Sequence, residues 1–473
     1  MNRTPTIAII GGGFSGTATL IQLAKQSLFP LNIILINKEY PEAKGIAFSS
    51  YNKRHVLNVP AAKMSALPDD PHNFLNWVKS KPEYSDFVDD ELPDLFLPRV
   101  IYGHYLEELL NDTLNNLPSF VNVKIINDEA SDIEIENSKS KVILKNGDSI
   151  EADKIVLALG NFTPDDPNIN NNNFYLSQYY FRNPWTKESV TGLKDNESVL
   201  IIGTGLTMVD NVLSLIDNGF MGKIYAVSTR GYFPLSHKKR KPYTDILEEI
   251  HPPYEISNLY NIFRKHIKIV LSKGITGEAV VDAIRPKTQE IWMSLSFNDK
   301  KRFMMHIRHL WGVARHRLPK NIFLQMQDLI SAGRLNIIGG RLIEMKEISD
   351  SVFVTIKERK TQNIKELVVS RVINCTGPRT DLNKIEDTLI VNLLKRGLIV
   401  PDEMKLGINA LPDGTIIQKD NSLSANLFTI GSALKGILWE STAVPELRLQ
   451  AKNLAGALIS QLDSTNKVNV LSV

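Results

Sequence analysis

Thr6-Ile-Ala-Ile-Ile-Gly11-Gly-Gly13-Phe-Ser-Gly16 decides the fold, because an apolar run of strand length passes directly into Gly-x-Gly-x-x-Gly and then into a helical pattern over residues 17–26. That succession describes a strand, a tight turn and a helix whose N-terminus faces a dinucleotide pyrophosphate. Gly11 permits the turn, Gly13 lets the backbone approach the phosphates, and Gly16 lets the helix lie against its strand. A second apolar strand, residues 32–36, follows at the expected distance, and its end should hold an adenosine ribose. Asn37 occupies that position, with Glu39 two residues later. An Asn amide can hydrogen-bond a ribose hydroxyl, so the reading survives the change from the usual acid.

Length and composition narrow the class. A chain of 473 residues, 43% hydrophobic and 23% charged, can bury a large core and divide into two or three domains. Its net charge of only +3 provides no general attraction to nucleic acid. Apolar runs are of strand length, so no membrane span is expected, and the first strand begins within a few residues of the N-terminus, leaving no room for a signal peptide. These features predict a cytoplasmic protein. Cys375 is the single cysteine, which rules out an intrachain disulfide and any electron relay through a CxxC dithiol.

Working outward from the first turn, residues 45–49 and 55–64, with Asn58 among them, form loops of mixed apolar and amide character, a type that commonly lines ligand sites. Residues 74–79 begin a short helix. Arg99 leads into a second helix carrying Tyr102 and Tyr105, where a capped surface helix and a cofactor contact are equally good readings. From residue 121 the period changes to two, predicting a meander over 121–126, 130–136 and 141–144 with a turn at Asn146-Gly147. Residues 154–160 return as a buried strand ending at Gly160, and the Asn- and Pro-rich residues 161–173 read as a connector.

Beyond the connector the design repeats. Ser198-Val-Leu-Ile-Ile-Gly203-Thr-Gly205 opens a second strand, turn and helix through residue 215, and residues 223–228 form its second strand. Met208 replaces the third glycine, which predicts looser packing of helix on strand. The second strand ends not in an acid but in Ser228, Thr229 and Arg230, with a basic run at 237–241. A carboxylate there would hold the 2′-hydroxyl of NAD, whereas Arg with hydroxyls can hold the 2′-phosphate of NADP. The alternative is a solvated basic loop. Residues 240–330 are helical in pattern and predict an insertion over the second nucleotide fold. Within it, His306 and His309 are spaced as a metal pair, but the nearby arginines and the lack of a third ligand argue against a metal. Arg308, Arg315 and Arg317 suit an anionic substrate or, better, a surface helix paired with acids elsewhere. Strands over 335–338, 342–348, 352–358 and 367–369 repeat the meander. Residues 371–378 repeat the return strand, which ends at Gly377 and places Cys375 as a small core residue. A last strand ends at Gly431, and residues 439–446 start a closing helix.

The fold class is therefore α/β, with two Rossmann-like domains of the glutathione-reductase type and a helical insertion. Expected boundaries are 1–165 for the first part of one domain, 190–378 for the second, with its insertion at about 240–330, and 379–473 for the return segment of the first. The chain resembles the two-dinucleotide-binding-domain flavoproteins along nearly its whole length. Gly45-Ile-Ala-Phe, His55-Val-Leu-Asn58-Val-Pro60-Ala, Pro98-Arg99-x-x-Tyr102-Gly-x-Tyr105, Arg315-His-Arg317 and Leu438-Trp-Glu440-x-Thr442-Ala-Val-Pro-Glu446-x-Arg448 more narrowly resemble the FAD-NAD(P)-binding family. That family includes aspartate N-monooxygenases forming nitrosuccinate and FAD-dependent urate hydroxylases. The resemblance implies FAD on Gly11, Gly13, Gly16, Asn37, Asn58, Arg99 and Gly431, and NADPH rather than NADH on Gly203, Gly205 and Arg230. Glu39, Gly160, Ser228 and Gly377 complete the candidate set. It implies a monooxygenase that uses NADPH and molecular oxygen, through a flavin hydroperoxide, to hydroxylate a small polar substrate. The start of the closing helix would then stabilise negative charge on the reduced flavin. Two rival readings keep the nucleotides: an oxidoreductase with a non-oxygen acceptor, and a nucleotide sensor without turnover. No acid, base or nucleophile stands out as catalytic.

Overall fold

In the computed structural model, residues 3–136, 139–238 and 242–471 are described. The basic run expected at 237–241 lies outside them from Lys239 to Lys241.

Strands that are apolar at every position can lie only where both faces are covered, and in a parallel sheet helices do the covering. Thr6–Ile10 is such a strand, buried at all five positions. It sits inside a six-stranded sheet in the order Thr415–Ile417, Leu423–Thr429, Lys154–Leu157, Thr6–Ile10, Leu31–Asn37, Val121–Asn127. All neighbours are parallel except the outer Thr415–Ile417. The helix Phe14–Gln26 and the closing helix Val444–Leu471 share one core with this sheet, built from Leu20, Leu23, Ile33, Phe428, Ala451 and Leu454. These elements belong to a unit formed by residues 1–161, 288–293 and 380–473.

Two details differ from the sequence reading here. Val121–Asn127 is not the first strand of the meander but the edge strand of the parallel sheet, with Ile33 opposite Val123. An edge strand with one covered face alternates just as a meander strand does, so the period alone could not separate them. The meander is Ala130–Glu136, Lys139–Leu144 and Ser149–Ala152, the last of which follows the Asn146-Gly147 turn.

The second unit, residues 162–287 and 294–379, repeats the plan. Its seven-stranded sheet runs in the order Ile364–Val369, Ser351–Glu358, Leu335–Ile348, Lys223–Ser228, Ser198–Ile202, Arg371–Asn374, Tyr180–Phe181. Leu335–Ile348 is one strand of 14 residues rather than the two expected. Its first half pairs parallel with Lys223–Ser228 and its second half antiparallel with Ser351–Glu358. Gly339-Gly340 looks like a break in the sequence but marks close packing. A Cβ on Gly340 would stand 2.8 Å from the Lys357 carbonyl oxygen.

The insertion folds as expected into helices, among them Ile256–Ser272, Glu278–Ile284, Thr288–Ser294, Arg308–Arg315 and Lys320–Ser331, with a π-helical turn Phe303–Ile307. Residues 288–293 are the exception to its placement, since they pack as part of the first unit. Among the described residues no helix is long and apolar enough to cross a membrane.

Candidate nucleotide sites

At the end of Thr6–Ile10, Gly11 turns with φ +111° and donates its N–H to the Ile36 carbonyl at 2.8 Å. A Cβ there would lie 2.2 Å from the Ala158 carbonyl oxygen, and one on Gly16 would lie 1.9 Å from that of Gly11. The fold itself therefore demands both glycines. Gly13 is different: a Cβ on it would meet only the Cα of Gly45, at an ordinary 3.6 Å. Gly13 is also the N-cap of Phe14–Gln26, in extended conformation, with no side-chain cap and no acid in the first turn. A helix start left uncapped behind a glycine that the fold does not require suits the close approach of an anion.

Both polar atoms of the Asn37 side chain are engaged within the protein. The side chain is buried, accepts the Gly12 N–H at 3.2 Å and donates to the Tyr40 carbonyl at 2.8 Å, so it braces the glycine turn from the neighbouring strand. Glu39, exposed and with a left-handed backbone at φ +70°, is the acid left at the strand end. Arg99 donates its backbone N–H to His55 O at 2.7 Å and Nε–H to Val56 O at 3.1 Å, fastening the loop on which exposed Asn58 stands. Tyr105 is a core residue: its hydroxyl donates to Asn73 Oδ1 and accepts the Ala66 N–H, and burial pushes its pKa up to about 12.

Gly160, at φ +68°, accepts a hydrogen bond from the Ser432 hydroxyl. Gly431, at φ +84°, donates to Gln450 Oε1 at 3.3 Å, and a Cβ on it would stand 2.8 Å from Ser15 Oγ. Three chain segments distant in sequence thus meet beside the start of the first helix. A few residues after Gly431, Gly436 accepts the Nε1–H of Trp292 from the insertion at 2.8 Å, and the Trp292 ring lies 4.8 Å from that of Trp439.

The second turn copies the first. Gly203, at φ +115°, donates to Val227 O at 2.7 Å, and a Cβ would lie 2.4 Å from the Cys375 carbonyl oxygen. Gly205 caps Leu206–Asp217 in extended conformation, again with no side-chain cap, no first-turn acid, and nothing within 4 Å of a Cβ. Met208 is fully buried in that helix. Ser228 is spent on its own loop: its hydroxyl lies 2.9 Å from Thr204 Oγ1 and accepts the Gly231 N–H at 3.0 Å. Among the described residues the Arg230 guanidinium makes one long bond, from Nη2 to the Met305 carbonyl at 3.3 Å. Gly377, at φ +94°, leaves open space where a Cβ would stand.

Arg317 is buried and grips Asp282 with two bonds of 2.7 and 2.9 Å from Nη2, and His309 stands in the fields of Arg308 and Arg230. Burial, and after it the charge of Asp210, pushes the Cys375 thiol far above its ordinary pKa, as suits a core residue.

Residues 8–162 match the model of the FAD-NAD(P)-binding family. A curated relative, the nitrosuccinic acid synthase of Aspergillus oryzae, is 22% identical over 319 residues, which is 61% of this chain and 48% of the relative. The chain thus spans about half the length of the curated relative it matches. Among solved structures, the ornithine N-hydroxylase of Kutzneria sp. 744 superposes with a TM-score of 0.66 at 14% identity, covering 98% of this chain and 100% of the other. The L-lysine 6-monooxygenase of Pseudomonas syringae gives 0.64 at 15%, covering 97% and 100%. At these identities the likeness shows the fold alone.

The residues present fit such nucleotides. Besides two uncapped helix starts, the first unit holds donors the sequence reading passed over. Arg448 uses Nη1 on Ser65 O at 2.7 Å, while its buried Nε, like the buried Nε2 of Gln450, has no acceptor among the described residues. Both belong to the closing helix, and Gln450 is bonded to Gly431. Buried donors without acceptors suit a ligand rich in acceptors. Arg448 sits in a quoted motif and could have been found, whereas nothing in the sequence marked Gln450.

Proposed function

We propose that the chain is an NADPH-dependent FAD monooxygenase that transfers one atom of molecular oxygen to the nitrogen of a small, polar amine. The balance is amine, O2, NADPH and a proton giving N-hydroxylamine, water and NADP. The observation that carries this reading is the paired glycine design: Gly13 and Gly205 are each unneeded by the fold and each open an uncapped helix. The flavin, when bound, supplies the electron and oxygen chemistry, and the protein's share is binding, orientation and exclusion of water. In this reading the turn at residues 11–16 and the Gly431 loop hold FAD, and the turn at 203–205 with Arg230 holds NADPH. Cys375 takes no part, since its thiol is buried and held protonated. This favours the amine hydroxylases over thiol-relaying enzymes of the same fold. Such chemistry suits the cytoplasm, where NADPH is supplied.

The test follows NADPH oxidation, oxygen uptake and product mass across amino acids, diamines and purines, with aspartate, ornithine and lysine included. One amine should raise oxygen uptake and appear N-hydroxylated in step with NADPH consumed. If every compound gives only peroxide while a quinone accepts electrons faster, the chain is an oxidoreductase with a non-oxygen acceptor.

A further inference from the structure

We propose that Arg308 and His309, at the start of the helix Arg308–Arg315, form with Arg230 the site for the 2′-phosphate of NADPH. This rests on the reading that the second nucleotide fold takes NADPH, and names the groups that would select it over NADH. The bond from Arg230 Nη2 to Met305 O sets this guanidinium against the turn Phe303–Ile307. Arg308 and His309 open the helix into which this turn leads, and the charges of both Arg308 and Arg230 reach His309. All of them lie in the second unit.

The charges in this place are unbalanced. Among the described residues neither Arg230 nor Arg308 has a carboxylate partner, unlike Arg317 with Asp282, Arg182 with Asp166 or Arg379 with Asp165. Two guanidiniums gathered about one imidazole repel, and the arrangement is relieved by an anion of matching charge. A phosphate monoester carries close to two negative charges at neutral pH and three acceptor oxygens, and guanidinium forks fit those oxygens in pairs. His309 is half-buried; burial first, and then the charges of Arg308 and Arg230, lower its pKa, so it stays neutral and offers an N–H without adding repulsion. Ser228, the hydroxyl at the strand end, is already committed to Thr204 and Gly231, so further ligands must come from elsewhere. The sequence gives no hint of this grouping, because about eighty residues separate Arg230 from Arg308.

The test is calorimetric titration of the full-length, flavin-loaded protein with adenosine 2′,5′-bisphosphate and with 5′-ADP. Wild type should prefer the bisphosphate. Arg308→Ala should weaken it about tenfold or more, the scale of a charge-assisted bond, and leave 5′-ADP unchanged. Arg308→Lys, which keeps the charge and loses the fork, should fall between, and unchanged flavin content and melting temperature would exclude misfolding. Unaltered bisphosphate affinity in Arg308→Ala, with weakening in Arg230→Ala, overturns the role of Arg308 and leaves the NADPH reading intact. A wild type that does not distinguish the two nucleotides overturns that reading, and this site with it.

Discussion

At the scale of single residues, the glycines of one motif divide by what they would strike. Gly11→Ala would force a methyl into a left-handed position 2.2 Å from a carbonyl oxygen, a strain on the order of 3 kcal/mol that should prevent stable folding. Gly13→Ala meets nothing closer than 3.6 Å in the protein, so the variant should fold with nearly the wild-type melting temperature yet lose its flavin absorbance. Full flavin occupancy in Gly13→Ala would remove the assignment of this turn to FAD. Cys375 makes the opposite case, a chemically conspicuous residue with a bland role. Its pKa is raised, so the thiolate forms only at pH well above the ordinary range and iodoacetamide should leave the native protein unlabelled at pH 8. Cys375→Ser should retain turnover and lose about 1–3 kcal/mol of stability for a hydroxyl placed in the core. Collapse of turnover in a folded, flavin-loaded Cys375→Ser protein would bring a thiol mechanism back.

Among the elements, legibility followed periodicity and its limits. The two strand-turn-helix units and both glycine-ended return strands were readable because local sequence makes them. The edge strand Val121–Asn127 and the continuous Leu335–Ile348 were misassigned because their identity depends on which neighbour they pair with, and pairing is not local. The insertion was legible as helices but not in its packing. Trp292, 2% exposed, joins the first unit through Gly436 and Trp439, partners nearly 150 residues away in sequence. Trp292→Ala should therefore cost about 3–5 kcal/mol of stability in that unit and lower the temperature at which flavin is released. Trp292→Phe, which keeps a ring and loses only the N–H, should cost less than half as much. Equal flavin-release temperatures for wild type and the Ala variant would show that this segment contributes nothing to the flavin-bearing unit.

Across the whole molecule, one design is used twice, and each copy has a glycine that the fold leaves uncommitted, Gly13 in one and Gly205 in the other. Two side chains that looked like ligands, Asn37 and Ser228, spend their hydrogen bonds on the protein itself, and Arg317 commits its Nη2 to Asp282, partners the sequence could not assign. Among the described residues Arg230 has no carboxylate partner, and on the proposed reading its charge would set the coenzyme preference and separate the two half-reactions. In anaerobic stopped-flow mixing, NADPH should reduce the flavin more efficiently than NADH. Arg230→Ala should forfeit about 1.5–3 kcal/mol of NADPH affinity, the worth of hydrogen bonds to a charged group, and hardly alter NADH. Reoxidation of the reduced flavin by oxygen should be the same in the variant, because the guanidinium acts on coenzyme binding and not on the oxygen step. Equal use of the two coenzymes by wild type would leave the unpaired charge of Arg230 without a nucleotide role, and a slowed reoxidation in the variant would show that its effect reaches the flavin instead.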